Sequence, residues 1–268
     1  MEWFEAVILG LIQGLTEFLP VSSSGHLEIG RVLLGAKTSE DLMFTTMVHA
    51  ATVLSTILVF RKQIFGLLKG FFKFKYNDET DYLFKIAVSC IPIMIVGLFF
   101  KDQVEALFNS IKVVGYALLL TSALLFLSDY ASRRKDGAQS GKDVRNGITY
   151  WQAFVVGLGQ ALAVVPGLSR SGTTISTGLI CGVRRDVMAQ FSFLMVLIPI
   201  LGETFLELVG GEFVNTSVGA LPLVLGFISA FLSGLFACKV MIALVKKAKL
   251  SWFALYCLLA AAAIFIFA

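Results

Sequence analysis

Gln13 and Glu17 stand four residues apart, and Pro20, three consecutive serines (Ser22, Ser23, Ser24) and His26 follow them. A spacing of four puts the carboxamide and the carboxylate on one helix face, aimed at the same volume. Proline ends that helix. Hydroxyls at the start of the next one lie among free backbone N–H groups and a partial positive charge, a setting that accepts an anion. Glu17 and His26 are each able to exchange a proton with a hydroxyl, which makes Ser23 a candidate nucleophile. A second stretch runs Pro166, Gly167, Leu168, Ser169, Arg170, Ser171, Gly172, Thr173, Thr174. It again sets hydroxyls at a helix start, and it adds a guanidinium whose fixed fork of donors suits phosphate oxygens.

Both stretches belong to one repeated unit. Residues 6–35 and 153–182 align without a gap at an offset of 147, with nine of thirty positions identical; chance alone gives about two or three. Each copy is an apolar helix-like run, a proline-containing break rich in Ser and Gly, and a second short helix-like run. The alignment pairs Ser23 with Arg170, Glu17 with Val164 and His26 with Thr173. The scaffold is duplicated while the chemical equipment is divided between the copies.

The bilayer is the solvent that the composition asks for. The chain is 57% hydrophobic and 15% charged, with a mean hydropathy of +0.84, more apolar surface than a soluble domain of this length carries. Glu2 and Glu5 stand where a signal peptide has cations, so no cleavable leader is expected. Cys90, Cys181, Cys238 and Cys257 are scattered singly through apolar runs and read as packing residues. No basic stripe with interleaved aromatics points to nucleic acid.

Six stretches are long enough to cross about 30 Å of hydrocarbon at about 1.5 Å per residue. They are Leu42–Phe60, Tyr82–Phe100, Val113–Leu127, Val187–Val209, Val218–Cys238 and Leu250–Ala268. The repeated stretches have shorter apolar arms and suit re-entrant hairpins, because broken polar backbone at membrane depth needs protein or a water-filled cavity around it. Cations cluster at 61–81 (Arg61, Lys62, Lys69, Lys73, Lys75) and at 128–149 (Arg133, Arg134, Lys135, Lys142, Arg145). Further cations are Arg184 and Arg185, and Lys246, Lys247 and Lys249. If both hairpins return to their side of entry, all of these fall on the cytoplasmic face and both termini lie outside. Three spans separate the hairpins, which therefore enter from opposite sides. The expectation is an all-α integral membrane protein, one domain over 1–268, with six transmembrane helices and two re-entrant hairpins in an inverted-topology repeat. Repeat 1 covers about 1–128 with its hairpin at 5–36, and repeat 2 covers about 150–268 with its hairpin at 151–183. Their tips should meet near the midplane, where folds of this kind build a site from facing broken helices.

A carboxylate at that depth costs on the order of 3 kcal/mol and calls for a cationic partner. A Ser-rich turn mostly caps a helix and a lone intramembrane arginine mostly snorkels. Their coincidence at equivalent places in the two copies is what suggests a site, one suited to phosphoryl transfer from a lipid-borne phosphate. His49, beside Thr45, Thr46 and Thr52, reads chiefly as a hydrogen-bonded packing residue, with a supporting role next to the site residues as the alternative. So does Glu203, while Glu207 reads as snorkelling; Gly10, Gly14 and Gly157 read as sites of close helix packing. The run Lys69–Lys75 reads as an amphipathic stretch on anionic headgroups, and 133–147 as a solvated loop.

At these residues the chain resembles the undecaprenyl-diphosphate phosphatases of the bacitracin-resistance type. That family shows an (E/Q)xxxE motif followed by PxSS(S/T)GH, and a PGxSRSxxT motif, which here are Gln13–Glu17, Pro20–His26 and Pro166–Thr174. The similarity runs along the whole chain. The resemblance implies hydrolysis of the terminal phosphate of a polyprenyl diphosphate in the bacterial plasma membrane, at a site open to the outer face. That reaction recycles the lipid carrier of cell-wall precursors, and its overproduction gives bacitracin resistance. A divalent cation, Mg²⁺ or Ca²⁺, is implied as cofactor, with Glu17 as its ligand; Gln13 leaves one carboxylate there rather than two. Glu17, Ser23, His26 and Arg170 are implied as catalytic. Gln13, Ser22, Ser24, Ser169, Ser171 and Thr174 are implied to bind the phosphates. In the expected mechanism Ser23 attacks phosphorus, His26 serves as base and then acid or holds the diphosphate, Arg170 holds oxygens, and Glu17 binds metal or orients His26. His26 as nucleophile is the alternative.

Three rivals remain to be weighed. A polyprenyl-phosphate transporter or flippase would share the architecture and the arginine, but it needs no base beside a hydroxyl. The phosphatidic-acid-phosphatase type needs a histidine downstream of its Ser-Arg pair; His26 and His49 both precede Arg170, which excludes it. A non-enzymatic assembly protein needs no polar tips at matched positions. Besides the lipid substrate and the surrounding membrane lipids, a homodimer is left open.

Overall fold

The computed structural model describes residues 1–35, 42–100, 103–104, 107, 111–135, 144–202, 218–247 and 249–267, and the regular elements among them are all helical. In order they are α1 (Trp3–Phe18), α2 (Ser23–Leu34), α3 (Leu42–Val59), α4 (Arg61–Phe71), α5 (Asp78–Phe99) and α6 (Ile111–Lys135). After a short 3-10 turn (Arg145–Gly147) come α7 (Tyr150–Leu162), α8 (Arg170–Ile180), α9 (Arg185–Met195), α10 (Ala220–Lys247) and α11 (Ser251–Phe267).

Four helical stretches are long and apolar enough to cross a membrane: Asp78–Phe99, Ile111–Ser132, Arg185–Gly202 and Ala220–Val245. A fifth follows if α3 and α4, which meet at a 74° bend, count as one span; Ser251–Ile266 is apolar but shorter. The bend falls at Phe60, where an apolar helix meets Arg61 and Lys62. From there α4 runs off at its own angle with Phe65 and Phe72 exposed, as an amphipathic interfacial helix does. Each of the six stretches read as a span falls mostly on helix where it is described, with breaks at Phe60 and Val196 and non-helical ends at Phe100, Val218 and Leu250. The end of Val187–Val209, together with Glu203 and Glu207, lies outside the described residues. Leu98, Trp151 and Ile266 are each at least 70% exposed, which suits a protein whose surroundings are lipid rather than water.

Glycine lets the short helices lie directly on the long ones. At Gly10 of α1 an added Cβ would strike the carbonyl of Gly226 in α10, and at Gly157 of α7 it would strike the carbonyl of Ser89 in α5. These glycines hold the same position in the two sequence copies, and each lays its helix backbone to backbone on a long neighbour. Serine hydroxyls add hydrogen bonds across helix pairs, from Ser229 to the Val7 carbonyl (2.8 Å) and from Ser122 to the Ala254 carbonyl (2.7 Å).

The segment read as a solvated loop is docked where it is described. Lys85, 2% exposed, pairs with the equally buried Asp81 at 2.6 Å and donates to the Arg145 carbonyl at 2.7 Å. Asp81 also accepts from Asn146, Tyr76 and Tyr150. A buried ion pair is tolerable only with its remaining valences filled, and residues 145–150 supply part of that filling.

Alanine at Gly10 or Gly157 is expected to lower stability by about 1–3 kcal/mol, as overpacking does. Alanine at Gly66 or Gly97, where a Cβ meets nothing within 4 Å, is expected to be neutral or to gain up to about 1 kcal/mol from helix propensity. Thermal unfolding of the four variants in detergent separates the two groups.

Candidate active site

Both breaks are built by their own serines. Ser22 caps α2 with φ at +72°, an uncommon backbone state for a non-glycine residue, and its Oγ accepts from the Gly25 N–H. Such a conformation costs about 1–3 kcal/mol; here the Ser22 carbonyl helps fix it by facing both the His26 N–H (3.2 Å) and His26 Nδ1 (2.7 Å). Ser169 caps α8 and accepts from the Gly172 N–H. Between the proline and this cap, Gly167 turns at φ +86°, where any Cβ would run into the backbone of Val114.

The two breaks touch. The Gly167 N–H donates to Ser24 Oγ at 3.3 Å, and Ser171 Oγ donates to the Leu19 carbonyl at 3.1 Å. Ser24 and Ser171 occupy equivalent positions at the offset of 147, so each copy reaches into the break of the other. The internal contacts match as well: Ser22 and Ser24 lie 3.4 Å apart through their hydroxyls, as do Ser169 and Ser171.

Glu17 is the hub of what they enclose. Its Oε2 accepts from Gln13 Nε2 at 2.9 Å and from Ser23 Oγ at 2.7 Å. Its Oε1 faces Arg170 Nη1 at 3.9 Å, and its side chain is 10% exposed. At that separation the guanidinium neutralises charge without a hydrogen bond. The Arg170 fork makes no hydrogen bond to the described residues, so its donors are left for a ligand. A hydroxyl bonded to a carboxylate, beside a free guanidinium, is what attack on a phosphoryl group requires.

The other residues expected in the site frame it. Thr174 Oγ1 donates to the Arg170 carbonyl (2.9 Å) and pairs with Ser192 (2.7 Å), while Ser169 N–H donates to Thr121 Oγ1 (3.1 Å). His26 is not the partner of Ser23. Its ring stacks on Tyr256 with centroids 5.5 Å apart, and its Nε2 lies 2.7 Å from the Tyr256 hydroxyl. A carbonyl only accepts, so in the neutral ring the proton sits on Nδ1 toward Ser22, and Tyr256 donates to Nε2.

Of two further neighbours, His49 bears out the lesser of its two sequence readings and Tyr256 has no place in that reading. His49 Nε2 approaches Glu17 Oε2 to 3.9 Å, with Nδ1 held by the Thr45 carbonyl at 2.9 Å. The signal was present, a histidine among threonines in an apolar span, but packing outweighed it. Tyr256 carried no signal, since a tyrosine in an apolar helix looks interfacial. For a cation, the described residues hold no group of three His, Cys, Asp or Glu side chains. Gln13 Oε1, however, is buried without a hydrogen-bond partner among the described residues, beside the Glu17 carboxylate. Two such oxygens fit a hard cation that completes its shell with substrate phosphates and water.

Apolar helices around a partly buried Glu-Ser-Arg cluster define a multi-pass helical membrane protein with a polar centre. The chain matches the family described as Bacitracin resistance protein BacA over residues 6–263, and it belongs to that family. It is 55% identical over 261 residues to the undecaprenyl-diphosphatase of Bacteroides fragilis, covering 96% of this chain and 95% of that protein. The undecaprenyl-diphosphatase of Bacteroides thetaiotaomicron is 54% identical over 270 residues, covering 99% of each. That of Parabacteroides distasonis is 54% identical over 264 residues, covering 97% of this chain and 96% of its own.

With only His26 and His49 in the chain, ¹⁵N-histidine spectra resolve each ring. Tyr256→Phe is expected to shift the Nε2 signal of His26 and to leave His49 unchanged.

Proposed function

We propose that this chain hydrolyses undecaprenyl diphosphate to undecaprenyl phosphate and inorganic phosphate at the Glu17, Ser23, Arg170 centre. The observation that carries the reading is the 2.7 Å bond from the Ser23 hydroxyl to Glu17, with Arg170 3.9 Å from the same carboxylate. Relatives more than half identical over nearly the whole chain are named for that activity.

Ser23 Oγ attacks the terminal phosphorus while Glu17 accepts its proton. The base is thus Glu17 rather than His26, whose ring is engaged by Ser22 and Tyr256. Arg170 and the N–H groups at the starts of α2 and α8 stabilise the charge that grows on the phosphoryl oxygens. Undecaprenyl phosphate leaves as an anion, and the phosphoseryl group is then hydrolysed. Phe18, Val53, Phe193, Val196, Leu197 and Ile200 line the small cavity beside Glu17 and Arg170, an apolar wall that keeps bulk water from the centre. Gln13 Oε1 and Glu17 are the groups to hold Mg²⁺ or Ca²⁺, which would supply charge neutralisation of the diphosphate.

The reading extends to topology. The paired contacts at the 147-residue offset, and the cations gathered at 61–81 and 128–149, support six crossings, two inverted re-entrant hairpins and termini outside the cytoplasm. The substrate then enters from the outer face, and the product returns to the pool that carries cell-wall precursors.

Purified protein in detergent with undecaprenyl diphosphate and Mg²⁺ is expected to release phosphate. Ser23→Ala, Glu17→Ala and Arg170→Ala should each slow release at least about 10²-fold; unchanged release in all three sinks the assignment. Chelation is expected to slow the wild type, and Gln13→Glu to lower the Mg²⁺ concentration giving half-maximal rate.

A further inference from the structure

Gln160 is a polar side chain with nothing to hold it. It sits on α7, it is 0% exposed, and neither atom of its carboxamide has a hydrogen-bond partner among the described residues. Its equivalent in the first copy is Gln13, whose amide is anchored by a carboxylate four residues on. The second copy has Val164 at that place, so Gln160 has no such anchor. An unpaired buried amide costs about 1–3 kcal/mol, and a leucine or methionine at this position would avoid that cost. A carboxamide kept here calls for an occupant that both donates and accepts.

The cavity that Gln160 lines sets the occupant's size. It measures about 20 Å³ and is bordered by Glu17, Arg170, Ser171, Thr174 and Ser192 as well as by the apolar side chains named above. That is room for about one water and too little for a phosphate. Thr52, Thr56, Ser171, Thr174 and Ser192 already donate or pair within the protein, and the Arg170 donors face the phosphate in the proposed reaction. Gln160, with both carboxamide atoms unpaired, and Glu17 are therefore the groups best placed to grip it. Glu17 therefore borders this cavity on one side and holds the Ser23 hydroxyl on the other.

We propose that this cavity seats the hydrolytic water and that Gln160 is its positioning residue. The proposal rests on the diphosphatase reading and on a phosphoryl group carried by Ser23. The water oxygen bonds to phosphorus as the bond from phosphorus to Ser23 Oγ breaks. Glu17 returns to Ser23 Oγ the proton that it took in the first half-reaction, and both water protons leave on the inorganic phosphate, so Glu17 ends as the carboxylate it began as. A single-water seat also explains how a site inside lipid admits water without being flooded.

Full-length protein in detergent, given undecaprenyl diphosphate and Mg²⁺, separates the two half-reactions when both products are followed by rapid quench. For the wild type, lipid monophosphate and inorganic phosphate should appear together. Gln160→Met keeps the side-chain volume and removes the hydrogen bonds. It should release up to one equivalent of lipid monophosphate per chain at near the wild-type rate, retain the phosphoryl group covalently, and release inorganic phosphate about 10- to 100-fold more slowly, within the range that a positioned proton-transfer partner contributes. Loss of both products in step, or no change in either, overturns the proposal. The wild type gives a second test in aqueous methanol. A seat for one water should yield inorganic phosphate without methyl phosphate, and methyl phosphate formed in proportion to methanol overturns the seat. A wild type that releases no phosphate at all defeats the diphosphatase reading instead.

Discussion

A carboxylate cannot remain charged within apolar surroundings unless its oxygens are occupied, and the centre of this protein is arranged around that requirement. Glu17 meets it with an amide and a hydroxyl on one oxygen and a guanidinium near the other. The partners come from both halves of the chain: Gln13 and Ser23 from the first broken helix, Arg170 from the second. The need to satisfy one charge thus becomes the reason the two halves meet at a defined point. In the proposed reaction the same carboxylate takes the proton of the serine hydroxyl, so one group would serve both the assembly and the chemistry.

Duplication provides the frame in which this is possible. Ser22 and Ser169 cap in the same way, Ser24 and Ser171 reach across in the same way, and Gly10 and Gly157 seat their helices on long neighbours in the same way. Because the backbone is held by these matched contacts, the side chains at the remaining equivalent places were free to diverge. The counterpart of Glu17 is Val164, not a second carboxylate, and the counterpart of Ser23 is Arg170, not a second serine. An undiverged pair would place like charge against like charge at the junction.

Local chemistry was readable from the sequence, whereas partnerships across the fold were not. Proline and serine inside apolar runs disclosed both breaks, and the gapless repeat indicated that the breaks were related. Helical spacing brought Gln13 and Glu17 together correctly. The same spacing said nothing of Ser23, because its approach to Glu17 depends on the left-handed backbone of Ser22 between them. The proximity of His26 to the serines in sequence suggested a base, yet its ring turns to Tyr256, 230 positions away. His49 and residues 145–150 were undervalued for one reason. Each is polar in a place where composition offers a bland explanation, and only the buried charges of Glu17 and Asp81 reveal the demand they answer.

The junction between the two broken helices also sets an order on biogenesis. Arg170 follows Glu17 by 153 positions (170 minus 17), so at about 5–20 residues per second the ribosome adds it roughly 8–30 s later. Over that interval Glu17 lacks its guanidinium, and the first break lacks the contacts that the second makes with it. The ring of partners around Glu17 is therefore complete only after translation has passed the second serine-arginine turn.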